Sequence, residues 1–143
     1  MIYFVIQMLL LFFVALTCWL KPDQLLRMPD QWLWIPLIPC FFGIIKILYG
    51  LVTLGRYLYP LPAVQPNSPL IRHGAFAKVR HPIYGGFMLL AIGASAYTGC
   101  LTAMAISCVL CIWLTLKARY EERLLLQKFP EYAEYQQNSR AFL

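Results

Sequence analysis

Two short stretches carry residues whose types and spacing suit chemistry. The first runs from Gly74 to Gly86 as GAFAKVRHPIYGG, the second from Lys117 to Tyr135 as KARYEERLLLQKFPEYAEY. In the first, Arg80 and His81 stand directly before Pro82, and Gly85 and Gly86 follow one turn later. Proline suits the first turn of a helix, and the glycines let a neighbouring helix or a ligand come close. A helix start there offers free amide donors and a partial positive charge, suited to a carboxylate or phosphate. In the second, Glu121 and Glu122 are adjacent acids just past an apolar run. Paired carboxylates so placed can hold ribose hydroxyls or an ammonium through charge-assisted hydrogen bonds. Each group also has a plainer reading. Lys78, Arg80 and His81 suit the flank of a membrane helix, and Tyr84, Tyr132 and Tyr135 suit an interfacial belt. Glu121 and Glu122 could pair with Lys117, Arg123 or Lys128 along a solvated helix.

The elements that must position these groups are apolar. Of the 143 residues, 61% are hydrophobic and 13% charged, where a soluble domain carries about 25% charged. Such a chain cannot cover its apolar surface in water, and the bilayer is its natural solvent. The fold class expected is all-α, an integral membrane bundle of about four spans with a C-terminal amphipathic cytosolic helix, forming a single domain over residues 1–143. The spans fall at about residues 2–20, 32–51, 82–97 and 101–117, with a connector at 52–81 and a tail at 117–140. The first, apolar apart from Gln7 and Thr17, makes about 28 Å of helix, enough for the hydrocarbon core. It lacks a basic start and a small-x-small cleavage site, so it reads as a retained span. In the second, Trp32 and Trp34 are anchors, Pro36 and Pro39 predict a kink, and Lys46 is expected to snorkel rather than face the interior. Pro60, Pro62, Pro66 and Pro69 keep helix out of the connector. Beyond Lys117 the fourth span is expected to continue as an amphipathic helix, broken at Pro130 before a last short helix over residues 131–140.

Charge orients this arrangement. The 52–81 connector holds four Lys or Arg and no acid, the tail holds five, and the first link balances two against two Asp. With four spans both basic blocks share one side, so both termini and the two chemical patches are expected in the cytoplasm. The net charge of +6 is explained by topology and by anionic membrane lipids, with no nucleic-acid partner. Cys108 and Cys111 lie in an apolar run without a second ligand pair and read as packing residues. His73 and His81 lack further ligands, so no metal site is expected. The absence of G-x-G-x-x-G excludes a Rossmann-type cofactor domain.

The order of the motifs is more specific than any one of them. Arg80-His81-Pro82-Ile83-Tyr84-Gly85-Gly86, a helical hairpin, Glu121-Glu122-Arg123-Leu124-Leu125, then Phe129 to Tyr135 as F-P-E-Y-x-x-Y resembles the isoprenylcysteine carboxyl methyltransferase family and the related membrane phospholipid methyltransferases. The resemblance covers about Leu54 to Arg140. It implies an S-adenosyl-L-methionine-dependent enzyme whose cofactor lies in a cytosol-facing pocket, contacted by Ser68, Pro69, Leu70, Ile71, Phe76, His81, Pro82, Ile83, Tyr84 and Glu121. It also implies a substrate contact at Lys117. Lysine stands where that family usually has arginine, which gives up a two-pronged grip on a carboxylate, and Phe76 stands where tyrosine is usual.

Methyl transfer from a sulfonium needs positioning in a dry site more than a nucleophile or a metal. A carboxylate acceptor needs no general base; for an amine or hydroxyl, Glu122 or His81 would be the candidate. The expected acceptor is a lipophilic small molecule or lipid, foremost an isoprenylcysteine-like carboxylate. Phospholipid N-methylation, a sterol-type reductase and a non-catalytic scaffold are the alternatives, and oligomeric state is left open.

Overall fold

The computed structural model describes residues 2–24, 26, 28–57 and 69–142. Five α-helices follow one another: α1 (Ile2–Leu20), α2 (Leu37–Leu54), α3 (Pro82–Thr98), α4 (Leu101–Lys128) and α5 (Tyr132–Gln137). Short 3-10 turns lie at Asp30–Trp32, Gly55–Tyr57 and Gly74–Phe76. Among the described residues three stretches are long and apolar enough to cross a membrane, Ile2–Leu20, Asp30–Leu54 and Leu101–Lys128. With 17 residues, α3 spans about 26 Å at 1.5 Å per residue, at the short limit anticipated for it. The chain is a helical integral membrane protein.

Several details depart from expectation. The second helix starts at Leu37, and Pro36 and Pro39 occupy its N-cap and first turn, in place of the kink expected in its first half. Amide hydrogens there have no partner within the helix, so proline costs nothing. Hydrogen-bonded turns from Asp30 to Ile38 lead into α2 and keep the stretch continuous. Lys46 does not simply snorkel, because its Nζ donates to the carbonyl of Phe142 at 2.8 Å. An ammonium in an apolar span needs an acceptor, and the returning tail supplies one. The 28-residue α4 continues unbroken past Lys117, burying Glu122 and leaving Leu126 exposed instead of forming a simple amphipathic face, and after Pro130 the chain resumes as α5, shorter than the 131–140 stretch.

Small residues make α3 the inner helix. A Cβ on Gly43 would lie 2.7 Å from the Gly86 carbonyl, and one on Gly93 2.6 Å from Cys40 Sγ, so α2 and α3 touch nearly backbone to backbone. The other side of α3 packs into a cluster of Val14, Ala91, Leu110 and Leu114 with Leu10, Leu11, Tyr84 and Phe87 around it. Trp19, Phe12, Phe41 and Phe42 point outward, as side chains facing lipid do.

The helix ends fall into two groups. At one end Thr98, Gly99 and Cys100 turn α3 into α4, with Gly99 in the left-handed region (φ 64°) closing α3 on Ser95. At the other end the start of α1, the close of α2, the start of α3 and the charged half of α4 converge, as the Tyr3–Tyr120, Gln7–Lys117, Thr53–Ala75 and Arg80–Glu122 contacts show.

Candidate active site

A single crossing of two chain segments organises this second end. Residues 78–81, which lead into α3, lie beside the tail: Arg80 N donates to Arg140 O at 2.8 Å, His81 N to Ala141 O at 2.9 Å, and Arg140 N to Lys78 O at 2.9 Å. The ladder is parallel and centred on Val79 and Arg140. The tail then passes over α3 so tightly that a Cβ on Gly85 would lie 2.5 Å from the Phe142 carbonyl. Only glycine leaves that room.

Arg80 ties the crossing to α4. Its Nε donates to Glu122 Oε1 at 2.7 Å, and its Nη1 to the carbonyls of Gln136 at 2.9 Å and Ser139 at 2.5 Å. Glu122 also meets His81 Nε2 at 3.1 Å and accepts from Gln136 Nε2 at 2.9 Å. Burial alone would push the Glu122 carboxyl up; the hydrogen bonds from His81 and Arg80 outweigh it and hold the group at about 2. A carboxylate so fully engaged suits an ion-pair anchor better than a proton acceptor.

Glu121, the next residue, meets different groups. Its Oε1 accepts from Tyr84 Oη at 2.7 Å and lies 4.0 Å from Lys117 Nζ, while Oε2 is 3.9 Å from His81 Nδ1. Burial pushes this carboxyl up, and Tyr84, His81 and Lys117 only partly offset the rise. His81 stacks nearly parallel on Tyr84, ring centres 5.4 Å apart, and so sits between the two acids. The Lys117 ammonium, 3% exposed, lies 4.9 Å above the Tyr84 ring and donates to Gln7 Oε1 at 2.7 Å.

His81, Tyr84, Lys117, Glu121 and Glu122 therefore meet in one cluster. Phe76 reaches its edge through its backbone carbonyl, which accepts from Tyr135 Oη. Pro82 and Ile83 turn the other way: Ile83 Cγ1 lies 2.5 Å from where a Cβ on Gly50 would stand, so both pack on α2. Pro69, Leu70 and Ile71 make no polar contact with the cluster, and Ser68 lies outside the described residues. Sequence reasoning puts Arg80 in the first motif, with a flank charge as the plainer reading, but names it for no role at the site, and it gives Gln7 none. A lone polar residue in an apolar span was the available signal for Gln7. Gln136 and the tail carbonyls gave no such signal. The Tyr132 hydroxyl, on a residue 1% exposed, has no hydrogen-bond partner among the described residues.

Fold and site together define a polytopic α-helical membrane protein with a buried acid–base cluster where its last long helix leaves the apolar layer. The sequence model of the isoprenylcysteine carboxyl methyltransferase (ICMT) family matches residues 34–127. That is more than half of the chain, and the chain belongs to this family. It is similar to the cobalt-zinc-cadmium resistance protein CzcN of Cupriavidus metallidurans, 30% identical over 114 residues that cover 76% of this chain and 50% of that protein. A probable protein-S-isoprenylcysteine O-methyltransferase of Oryza sativa subsp. indica is 31% identical over 108 residues, 68% of this chain and 56% of that protein. Protein-S-isoprenylcysteine O-methyltransferase A of Arabidopsis thaliana is 30% identical over 106 residues, 66% and 53% of the two chains. The chain spans about half the length of these relatives. The family match includes Arg80, His81, Tyr84, Lys117, Glu121 and Glu122; α1 and the tail from Lys128 onward lie outside it.

Proposed function

We propose that this chain is an S-adenosyl-L-methionine-dependent methyltransferase of the membrane, acting as one domain on the carboxylate of an isoprenylcysteine-like acceptor that enters from the bilayer. The carrying observation is the joining of Tyr84, Glu121 and Lys117 in one buried cluster under the tail. Two features fit the cofactor: a buried carboxylate with one oxygen, Oε2, beyond hydrogen-bond reach of His81, and the buried hydroxyl of Tyr132, unpartnered among the described residues. Glu121 would hold the cofactor's hydroxyls or ammonium, with Tyr84 and His81 fixing its orientation. Phe76, Pro69, Leu70 and Ile71 would form the rim of that pocket. Pro82 and Ile83 would serve it by seating α3 on α2.

The cofactor supplies a methyl group on a sulfonium, and its in-line displacement by a carboxylate oxygen needs alignment and exclusion of water. Lys117 would orient that carboxylate as a point charge. No proton need move, since a carboxylate is already ionised, and Glu122 would brace Arg80 and His81 instead of acting as a base. The excess of basic residues at this end supports a cytoplasmic orientation for the site and for both termini.

The test uses the full chain in nanodiscs with methyl-labelled cofactor, offering small prenylated thiol carboxylates beside phosphatidylethanolamine. The expected outcome is a base-labile labelled methyl ester on the carboxyl group of the prenylated compound, abolished in Glu121→Ala. Label in phosphatidylethanolamine instead would move the chain to N-methylation. Calorimetry showing no cofactor binding would end the reading.

A further inference from the structure

The first helix buries two side chains, Gln7 and Val14, and only Gln7 is polar. Gln7 is 4% exposed and lies outside the family match. Its Oε1 accepts from Lys117 Nζ at 2.7 Å. One turn earlier Tyr3 stacks on Tyr120 and Trp113, ring centres 5.2 and 5.7 Å apart, which fixes α1 in register with this part of α4. The other groups at the ammonium are more distant: Glu121 Oε1 at 4.0 Å and the Tyr84 ring at 4.9 Å. An ammonium has three rotating donors and a flexible stem, so the one short contact decides where it points.

We propose that Gln7 is a positioning residue for methyl transfer, its amide oxygen aiming the Lys117 ammonium at the acceptor's carboxylate. This rests on the reading of Lys117 as the acceptor contact. A neutral amide fits that task better than an acid would. A carboxylate at this place would neutralise the ammonium and compete with an anionic acceptor, whereas an amide orients the charge and leaves it available.

Glu at position 7 therefore separates positioning from mere satisfaction of a buried charge. Three readouts are compared for wild type, Gln7→Glu and Gln7→Leu in nanodiscs. They are the KM for a prenylated thiol carboxylate, the cofactor Kd by calorimetry, and the 15N signal of Lys117 Nζ, assigned among the five lysines by Lys117→Arg. The expected result for Gln7→Glu is wild-type melting and cofactor Kd, a shifted Lys117 signal, and a KM raised by about tenfold or more. Wild-type KM with an unmoved Lys117 signal in Gln7→Glu would overturn the proposal, even if Gln7→Leu fails to fold. A wild-type chain that transfers no methyl group would overturn the functional reading instead. The proposal, which rests on that reading, would fall with it, whereas wild-type KM and an unmoved Lys117 signal in an active enzyme would end the proposal alone.

Discussion

The two ends of the helix bundle use carboxylates in opposite ways. At the α3–α4 turn, Asp23 accepts from Thr102 N at 3.1 Å, Thr102 Oγ1 at 2.7 Å and Cys100 Sγ at 2.8 Å. Each of these donors belongs to the first residues of α4 or its N-cap, so the acid serves as a helix cap lent by a loop. At the other end Glu121 and Glu122 are buried and bonded to side chains from α3, from the segment before it and from the tail. The cap stabilises one helix. The buried pair joins four segments, and removing either partner of a buried pair leaves a charge without compensation.

That contrast can be broken experimentally. Arg80→Ala should have the largest effect, about 3–5 kcal/mol of lost stability, because it strands Glu122 and frees the tail carbonyls. The check is chemical unfolding of the purified chain, with loss of protection at residues 139–142 appearing first. Acid should have the next effect. Glu122 is held at about 2 against an ordinary value of 4.5, so its contribution is complete above pH 4.5 and fades as pH falls toward 2. Glu121, shifted upward, works the other way and favours the fold most when protonated. Melting followed across this range should therefore show a net acid loss that Glu122→Gln removes. If Glu122→Gln melted with the wild-type pH dependence, the anchor assigned to Glu122 would be wrong. Asp23→Ala should have the smallest effect: a lower melting temperature from the lost cap, with cofactor Kd unchanged. A changed Kd would mean that the two ends are coupled.

What the sequence disclosed depended on how local each signal is. The apolar runs of α1 and α4, the short α3 and the two motif patches were legible because composition and spacing encode them over a few turns. Trp32 and Trp34 look like a span entrance and lie near the start of the apolar Asp30–Leu54 stretch, within which the prolines delay the regular α-helix to Leu37. Glu121 and Glu122 look equivalent as letters. On a helix they diverge by about 100°, one toward Tyr84 and the other toward Arg80 and the tail. The Gln7–Lys117 and Arg80–Ser139 contacts bridge distant parts of the chain, and no periodicity announces such a pairing.

The ladder between residues 78–81 and 140–141 also bears on how the protein is made. His81 acquires its backbone partner only from Ala141, which is made after the whole of the helix that His81 precedes. The helices of the bundle can thus assemble first, and the end that carries the buried cluster closes only once residues 140 and 141 have been made.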